Sequence, residues 1–486
     1  MENQIFTYFI SENENVIVEG LSKSQKIGKY NFLYDQNTPF SYFSCEQTEC
    51  AVFGLAVNVL NGECDNLPEK ILQKCKSVQD VVDFEKNLGG KYVILYKSGD
   101  NLYVLGDATC SIPVYYCTKD EFVCSSNMQF VLNQKSYSLD DEFNKIRKSG
   151  DISQAMPFDI TPYKEVKQLI PNHYLSAEDK AAVRFINSAV LQTEVLVENA
   201  GEIVLPMINN LLKLYQNSYK IYCPITSGRD SRVVLSFLMS NGVEFDCYTI
   251  KHPNHTDKTQ DITVPVEICA KSGLHHDLIE DVTVSDELKS NMDVALGEGH
   301  YSLKTLRIAQ TVKEHCQNGA IINGDIIGQV GKCSLHRDIP KVFATPSYFR
   351  CKLHNYSGGA KKQLALWLKE IAQSGEKVNT FDLFSVENRM GRWAAQENLV
   401  YNTLGQVYLN IFNSRSIIYV WTAVARSERK LSKLHVDLIN KTQPNLLEVD
   451  FEKDESCLIK LSKSSGLAYL ASSYLKYYLE KMKFKG

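Results

Sequence analysis

The sequence predicts an α+β first part of antiparallel layers, followed by an α/β part built on a doubly wound parallel sheet. Three observations carry this. Short runs rich in Tyr, Val, Ile and Phe recur between turn signals through residues 1–186. From residue 203 onward, apolar helical patterns alternate with short apolar runs, the signature of a parallel sheet covered by helices. In Lys220–Gly242 an apolar run passes through a turn of small residues straight into a helix start.

In the first part, Ile5–Ile10, Ala51–Leu60, Lys91–Tyr96, Leu102–Leu105 and Val114–Cys117 read as strands. Ser98-Gly99-Asp100-Asn101 makes a hairpin turn between two alternating strands, and Gly106-Asp107 breaks into a third. Asn61-Gly62-Glu63 marks a turn after the Phe53–Leu60 run. Val81–Asn87 and Asp140–Lys148 have helical patterns, and residues 187–201 read as the connection between the parts.

In the second part, Ile203–Tyr215 is a helix by its apolar stripe of Val204, Met207, Ile208, Leu211 and Leu212. Ile221, Tyr222, Cys223 and Ile225 form a strand, although Pro224 cannot donate to a central ladder. Thr226–Ser231 is the turn, Val233, Val234, Phe237 and Leu238 the apolar face of the next helix, and Asn241-Gly242 its stop. Phe245–Ile250 is a strand, Ile262–Ser272 a helix ending at Gly273, and Leu278–Ile279 opens another strand. Ala320–Gly328 reads as a buried strand running into a glycine turn. From Tyr348 the pattern is mostly helical, with stripes in Lys361–Ser374 and Gly466–Lys485. Arg389 and Arg392, three apart in Phe381–Val400, share a helical face.

The 486 residues carry 53 basic and 57 acidic side chains, so the net charge of -4 gives no reason to expect a nucleic-acid backbone as partner. The 14 Cys are scattered, with no C-x-x-C and no zinc spacing, and read as reduced thiols of a cytoplasmic protein. No apolar run approaches the roughly 18 residues of a membrane span.

A strand, a turn of small residues and a helix start make an anion site. The first helical N–H groups lack intrahelical partners, and the helix dipole places partial positive charge there. The turn lacks the G-x-x-x-x-G-K-[ST] and G-x-G-x-x-G patterns. It resembles instead the pyrophosphatase loop S-G-G-x-D-S of the asparagine synthetase family. Thr226 stands for the first Ser, Ser227 for the first Gly, and Gly228, Asp230 and Ser231 match. Other landmarks follow in family order. Gly90, Tyr92, Asp107, Pro113, Tyr115 and Tyr116 resemble the strands of the family's glutaminase domain. Thr161-Pro162 and Leu169–Leu175 resemble its closing segment. Gly324-Asp325 resembles a G-E-G-x-D-E turn that supplies a magnesium carboxylate; on its own, Asp325 also reads as an Asx-turn or helix-cap residue. Asn413–Ile418 resembles the E-x-R-x-P-F-L-D region, with only Arg415 and the apolar pair kept.

The resemblance implies an Ntn-type αββα sandwich over residues 1–190 and an adenine nucleotide α-hydrolase (PP-loop) domain with a helical C-terminal part over residues 191–486. Glutaminase domains of this family use a Cys at the mature N-terminus, and Met1-Glu2 stands here, so the expectation is a domain without glutaminase activity, as in the β-lactam synthetase branch. The implied function is an ATP-dependent carbon–nitrogen ligase of a biosynthetic pathway. ATP would adenylate a carboxylate, pyrophosphate would leave, and an amine or ammonia would attack. Thr226, Ser227, Gly228, Asp230 and Ser231 would cradle the phosphates, and backbone near Tyr248 and Ile250 would take adenine. Asp230 and Asp325 would hold Mg2+, and a cation among Arg415, Arg429 and Lys430 would meet pyrophosphate. The expected partners are a small-molecule, peptide or sugar carboxylate and an amine donor, with a homodimer as one option. The alternative is a non-catalytic or regulatory nucleotide-binding homologue with decayed sites. Sulfur transfer to tRNA would require catalytic cysteines and a basic surface, and neither is evident.

Overall fold

Alternation of large apolar side chains turns the first part into two stacked antiparallel sheets. The computed structural model describes residues 4–142, 156–185, 194–355, 357–375, 377–451 and 465–483. One sheet joins β1 (Tyr8–Ser11), β2 (Lys23–Ile27), β3 (Tyr30–Tyr34), β8 (Tyr115–Cys117), β9 (Val123–Ser125) and β10 (Val166–Gln168) in the order β10-β8-β9-β1-β3-β2. The other joins β4 (Phe40–Cys45), β5 (Thr48–Asn58), β6 (Leu88–Ser98), β7 (Asn101–Gly106), β11 (His173–Ser176) and β12 (Ala181–Arg184) in the order β12-β11-β7-β6-β5-β4. Alternate residues of the two sheets face one another: Tyr8, Ile10 and Phe32 share a core with Phe53, Leu55, Val93 and Leu95. The Tyr8 and Phe53 rings meet edge-on at 5.7 Å. The residues between them in sequence, Val52, Ile94 and Tyr96, pack outward under the helices Leu67–Lys74 and Val78–Glu85.

The hairpin turn pairs Ser98 with Asn101, and Gly99 takes φ +60 there. Asn61–Glu63 also closes as a turn, with Gly62 N donating to Asn58 O at 2.8 Å. The strands β2, β3, β4, β9, β10, β11 and β12 lie outside the runs read as strands; each is six residues or shorter, too short for alternation to show.

The second part is a parallel sheet of β13 (Lys220–Pro224), β14 (Phe245–Lys251), β15 (His276–Glu280), β16 (Gly319–Asn323) and β17 (Val407–Asn410), ordered β15-β14-β13-β16-β17. All four pairings are parallel. Pro224 costs the ladder little because it ends β13; Ile225 N then donates to Tyr248 O at 2.9 Å. The strand order reverses between β13 and β16, which opens a crevice beyond their carboxyl ends.

Two boundaries differ from the expectation. The helix before β13 runs Val197–Ser218, so residues 197–201 are helical rather than part of a connection. Within Phe381–Val400 the helix Thr380–Phe384 passes into a π-helical segment, Ser385–Ala394, before the helix Ala395–Thr403. A Cβ on Gly391 would lie 2.1 Å from Pro171 Cδ, so only glycine lets this segment approach the first part. Residues 143–148 and 187–193, which fall in an expected helix and the expected connection, lie outside the described residues. Among the described residues no helix is long and apolar enough to cross a membrane.

Candidate functional site

The crevice between β13 and β16 brings the phosphate-type turn and the glycine turn together. The helix Arg229–Ser240 starts at its N-cap Gly228 without a side-chain cap, which leaves its first N–H groups to an external acceptor. Thr226 and Ser231 brace the turn across its base: Thr226 N donates to Ser231 Oγ at 3.2 Å, and the two hydroxyls lie 3.1 Å apart. Gly228 N donates to Thr226 Oγ1 at 3.3 Å. Ser227 departs from a phosphate cradle. Its N–H and its Oγ both donate to Asp261 Oδ1, at 2.9 and 2.6 Å. The backbone there needs no positive φ, so its Cβ is tolerated.

Asp230 stands in the first turn of that helix, more than a third exposed. Its Oδ1 lies 2.9 Å from His435 Nε2, on the helix Lys433–Thr442. Burial opposes ionisation of Asp230, but the His435 bond and the charges of His435, Lys332 and Arg229 hold its carboxyl below the ordinary range. A Cβ at Gly328 would come within 2.6 Å of Asp230 Oδ2, and one at Gly324 within 2.9 Å of Asp230 O. The glycine turn is therefore shaped to let the two loops touch.

Asp325 follows β16. Asn323 Oδ1 accepts from Asp325 N at 3.1 Å, so Asn323 makes the Asx turn and leaves the Asp325 carboxylate free of that task. Tyr408 Oη donates to Asp325 Oδ2 at 3.1 Å. Burial raises the Asp325 carboxyl, and the charge of Asp230 adds to the rise against the Tyr408 bond. Glu397 is pushed up to about 8 by burial and then by the charge of Asp325, against a hydrogen bond from Thr305 Oγ1.

The other expected residues sit elsewhere. Tyr248 lies in β14, buried, and its carbonyl is taken by Ile225 N; Ile250 pairs with Ile279 of β15. The three expected cations are committed away from the turn. Arg415 is buried between the two parts: its Nε is 2.6 Å from Glu85 Oε2 and its Nη1 donates to Asn172 Oδ1 at 2.9 Å. Arg429 is fully buried, with Nη2 2.7 Å from Asp382 Oδ2 and Nη1 donating to Val330 O at 2.7 Å. Lys430 Nζ is 2.5 Å from Asp338 Oδ2. Each of the three is paired with a carboxylate of its own, Glu85, Asp382 or Asp338.

Lys332, Asp261, His435, Tyr408 and Glu397 complete the site and were not found by the sequence reading. Lys332 follows the glycine turn, half-buried, and its charge reaches Asp230. Position after Gly324-Asp325 was the one available signal for it; of the other four, Asp261, Glu397 and His435 come from helices and Tyr408 from β17, all outside the two turns.

Among the described residues no group of three or more His, Cys, Asp or Glu forms a metal cluster. Asp230 and Asp325 lie near enough for the charge of one to raise the other, and their oxygens are of the kind a hard divalent cation takes. They are two hard oxygen ligands whose charges repel, and such ions take one or two carboxylates plus phosphate and water.

No protein-family model matches the chain, and no curated protein matches it. Partial likenesses exist among solved structures. A glutamine-dependent NAD+ synthetase from Acinetobacter baumannii, in complex with ADP, is 7% identical over 40% of this chain, at a TM-score of 0.21; the chain spans 43% of its length. An NMN synthetase from Francisella tularensis is 11% identical over 43% of this chain and 94% of its own, at 0.20. A glutamine PRPP amidotransferase from B. subtilis, complexed with ADP and GMP, is 10% identical over 69% of this chain and 72% of its own, at 0.23. At such scores the functional reading rests on the residues of this chain.

Proposed function

We propose that the chain is an ATP-dependent amide ligase of the asparagine synthetase type. One observation carries the reading: an uncapped helix start at Gly228 faces a shaped glycine turn across the β13–β16 crevice, with Asp230 and Asp325 close enough to repel. The N–H groups after Gly228 and the hydroxyls of Thr226 and Ser231 would hold the β and γ phosphates as a unit. Asp230 and Asp325 would hold Mg2+, which supplies charge neutralisation on the leaving pyrophosphate. Lys332, rather than Arg415, Arg429 or Lys430, would be the cation beside the phosphates. No lysine follows Gly228 in the manner of a P-loop, which favours cleavage between the α and β phosphates.

A carboxylate oxygen of the substrate would attack the α phosphorus while the bond to the bridging oxygen breaks and pyrophosphate leaves. The amine nitrogen would then attack the acyl carbon, lose a proton, and release AMP. The first part, about residues 1–190, would take the Ntn-type sandwich, and residues 191–486 would be the PP-loop unit. The Asp107 carboxylate is already engaged, accepting from Thr109 and Ser111 of the first part and from Asn413 of the second.

A second reading, nucleotide binding without turnover, is favoured by Ser227, whose donors are spent on Asp261, and by the commitment of the three expected cations. Product analysis with α-labelled ATP, Mg2+ and a panel of carboxylates and amines separates the two. Labelled AMP, lost in Asp230→Ala, is the expected outcome. ADP as main product overturns the ligase reading, and ATP binding without any product supports the second.

A further inference from the structure

Lys91 is a cation that the first part sends into the second with no carboxylate in hydrogen-bond reach among the described residues. It leaves β6 and is 2% exposed. Its Nζ donates to Asn398 Oδ1 and Asn402 Oδ1, both at 2.8 Å, and to Tyr408 O at 3.2 Å. The ring of Phe6 lies 4.6 Å from the same nitrogen. An ammonium held only by neutral oxygens and a ring is costly to bury, and burial pulls Lys91 down to about 7 against the charge of Asp107. A methionine of similar length would remove the buried charge but leave three buried acceptors without their donor, so the lysine ties these groups together at an electrostatic cost.

The three acceptors have one thing in common. Asn398 and Asn402 are a turn apart on the helix Ala395–Thr403. Between them in sequence, Tyr401 stacks on Tyr408 at 4.4 Å and 11°. Tyr408 donates in turn to Asp325 Oδ2. Lys91 thus grips both partners of the tyrosine stack, one through its helix and one through its main-chain carbonyl. Asn402 gives up its own donor for this, since its Nδ2 has no partner among the described residues. A small cavity lined by Lys91, Asn323, Asp325, Asn398 and Tyr408 joins the lysine to the carboxylate.

We propose that Lys91 is a positioning residue of the nucleotide site: by fixing Tyr408 and the helix Ala395–Thr403, it aims Asp325 at the metal position. The first part then serves as a template for the second unit's metal carboxylate. This rests on the MgATP reading above.

The test uses the full chain and α,β-methylene-ATP, with Mg2+ or with EDTA, alongside thermal melting. Lys91→Met leaves three acceptors without a donor, so a lower melting temperature is expected and melting serves as the control that the variant is folded at the assay temperature. Its Kd for the magnesium complex should rise about ten-fold, the usual effect of disturbing a group behind a metal ligand, while its affinity in EDTA stays unchanged. Tyr408→Phe should give the same metal-dependent loss, and the double variant no further loss. Wild-type affinity for the magnesium complex in Lys91→Met overturns the inference, as does an equal loss with and without metal. If Lys91→Met does not fold, Asn402→Leu, which keeps the lysine, must show the metal-dependent loss, and its absence overturns the inference equally. A wild-type chain that binds no nucleotide overturns the parent reading and the inference with it.

Discussion

At the residue scale, the site turns on carboxylates in unlike surroundings. Asp230 is held ionised by His435 and nearby cations, whereas Asp325 and Glu397 are pushed toward the neutral form by burial. Glu397 gives a test with a definite sign. Its folded value of about 8 stands above the ordinary 4.5. Between these two values the folded chain keeps a proton that the unfolded chain has lost, so stability falls as pH rises through the window. Glu397→Gln removes the exchange. Melting curves taken between about pH 5 and pH 8 should therefore fall less steeply in the variant than in the wild type. Parallel curves would show that Glu397 titrates normally. The facing groups Asp325, Thr305, Arg389 and Lys304 are present in both proteins and cancel in the comparison.

At the scale of elements, a conspicuous device is the seam where β6 meets the chain after β17. Gly90 N donates to Asn413 O at 2.9 Å, and Ser416 N to Lys86 O at 3.1 Å. Arg415 and Glu85, 2% and 1% exposed, close the seam as an ion pair. Removing one partner of a buried pair leaves the other charge uncompensated, at a cost of about 3–5 kcal/mol. Arg415→Leu should lose about that much in denaturant unfolding, while the double variant with Glu85→Leu should recover part of the loss. A variant as stable as the wild type would mean that water reaches the pair. The same elements show where the sequence was legible. The β13 turn and helix could be read because strand, small residues and apolar helix stripe are contiguous in Lys220–Gly242. Asp325 could be placed because a buried strand runs directly into its turn. The cations could not. A sequence shows that Arg415, Arg429 and Lys430 are charged, but Glu85, Asp382 and Asp338, which claim them, lie far away in the chain. Strand β17 was also missed, because it is only four residues long.

At the scale of the whole molecule, the two parts share an interior. One core cluster runs from Tyr8, Phe53 and Val93 of the first part through Val204, Leu211 and Tyr215 of the connecting helix to Val234, Ile322 and Trp421 of the second. The outer face of the first sheet likewise shares a cluster with the second part: Phe9, Tyr115 and Val131 pack with Met292, Leu296 and Leu399. Charges bridge the parts as well. Arg184 Nη1 is 2.7 Å from Glu387 Oε1, whose carboxylate also accepts from Asn172 and Trp367. Interfaces between independent domains are typically more polar than this shared apolar core, and relative motion between such domains is the ordinary expectation. Here, unfolding the first sandwich would expose the apolar face of Val197–Ser218 and strand the charges of Glu387 and Arg415, so the second part would lose more than contact area. The full chain should therefore unfold in one cooperative transition, with calorimetric and van't Hoff enthalpies in agreement. Arg415→Leu should lower that single transition rather than split it. Two resolved transitions in the wild type would show that each part carries its own stability.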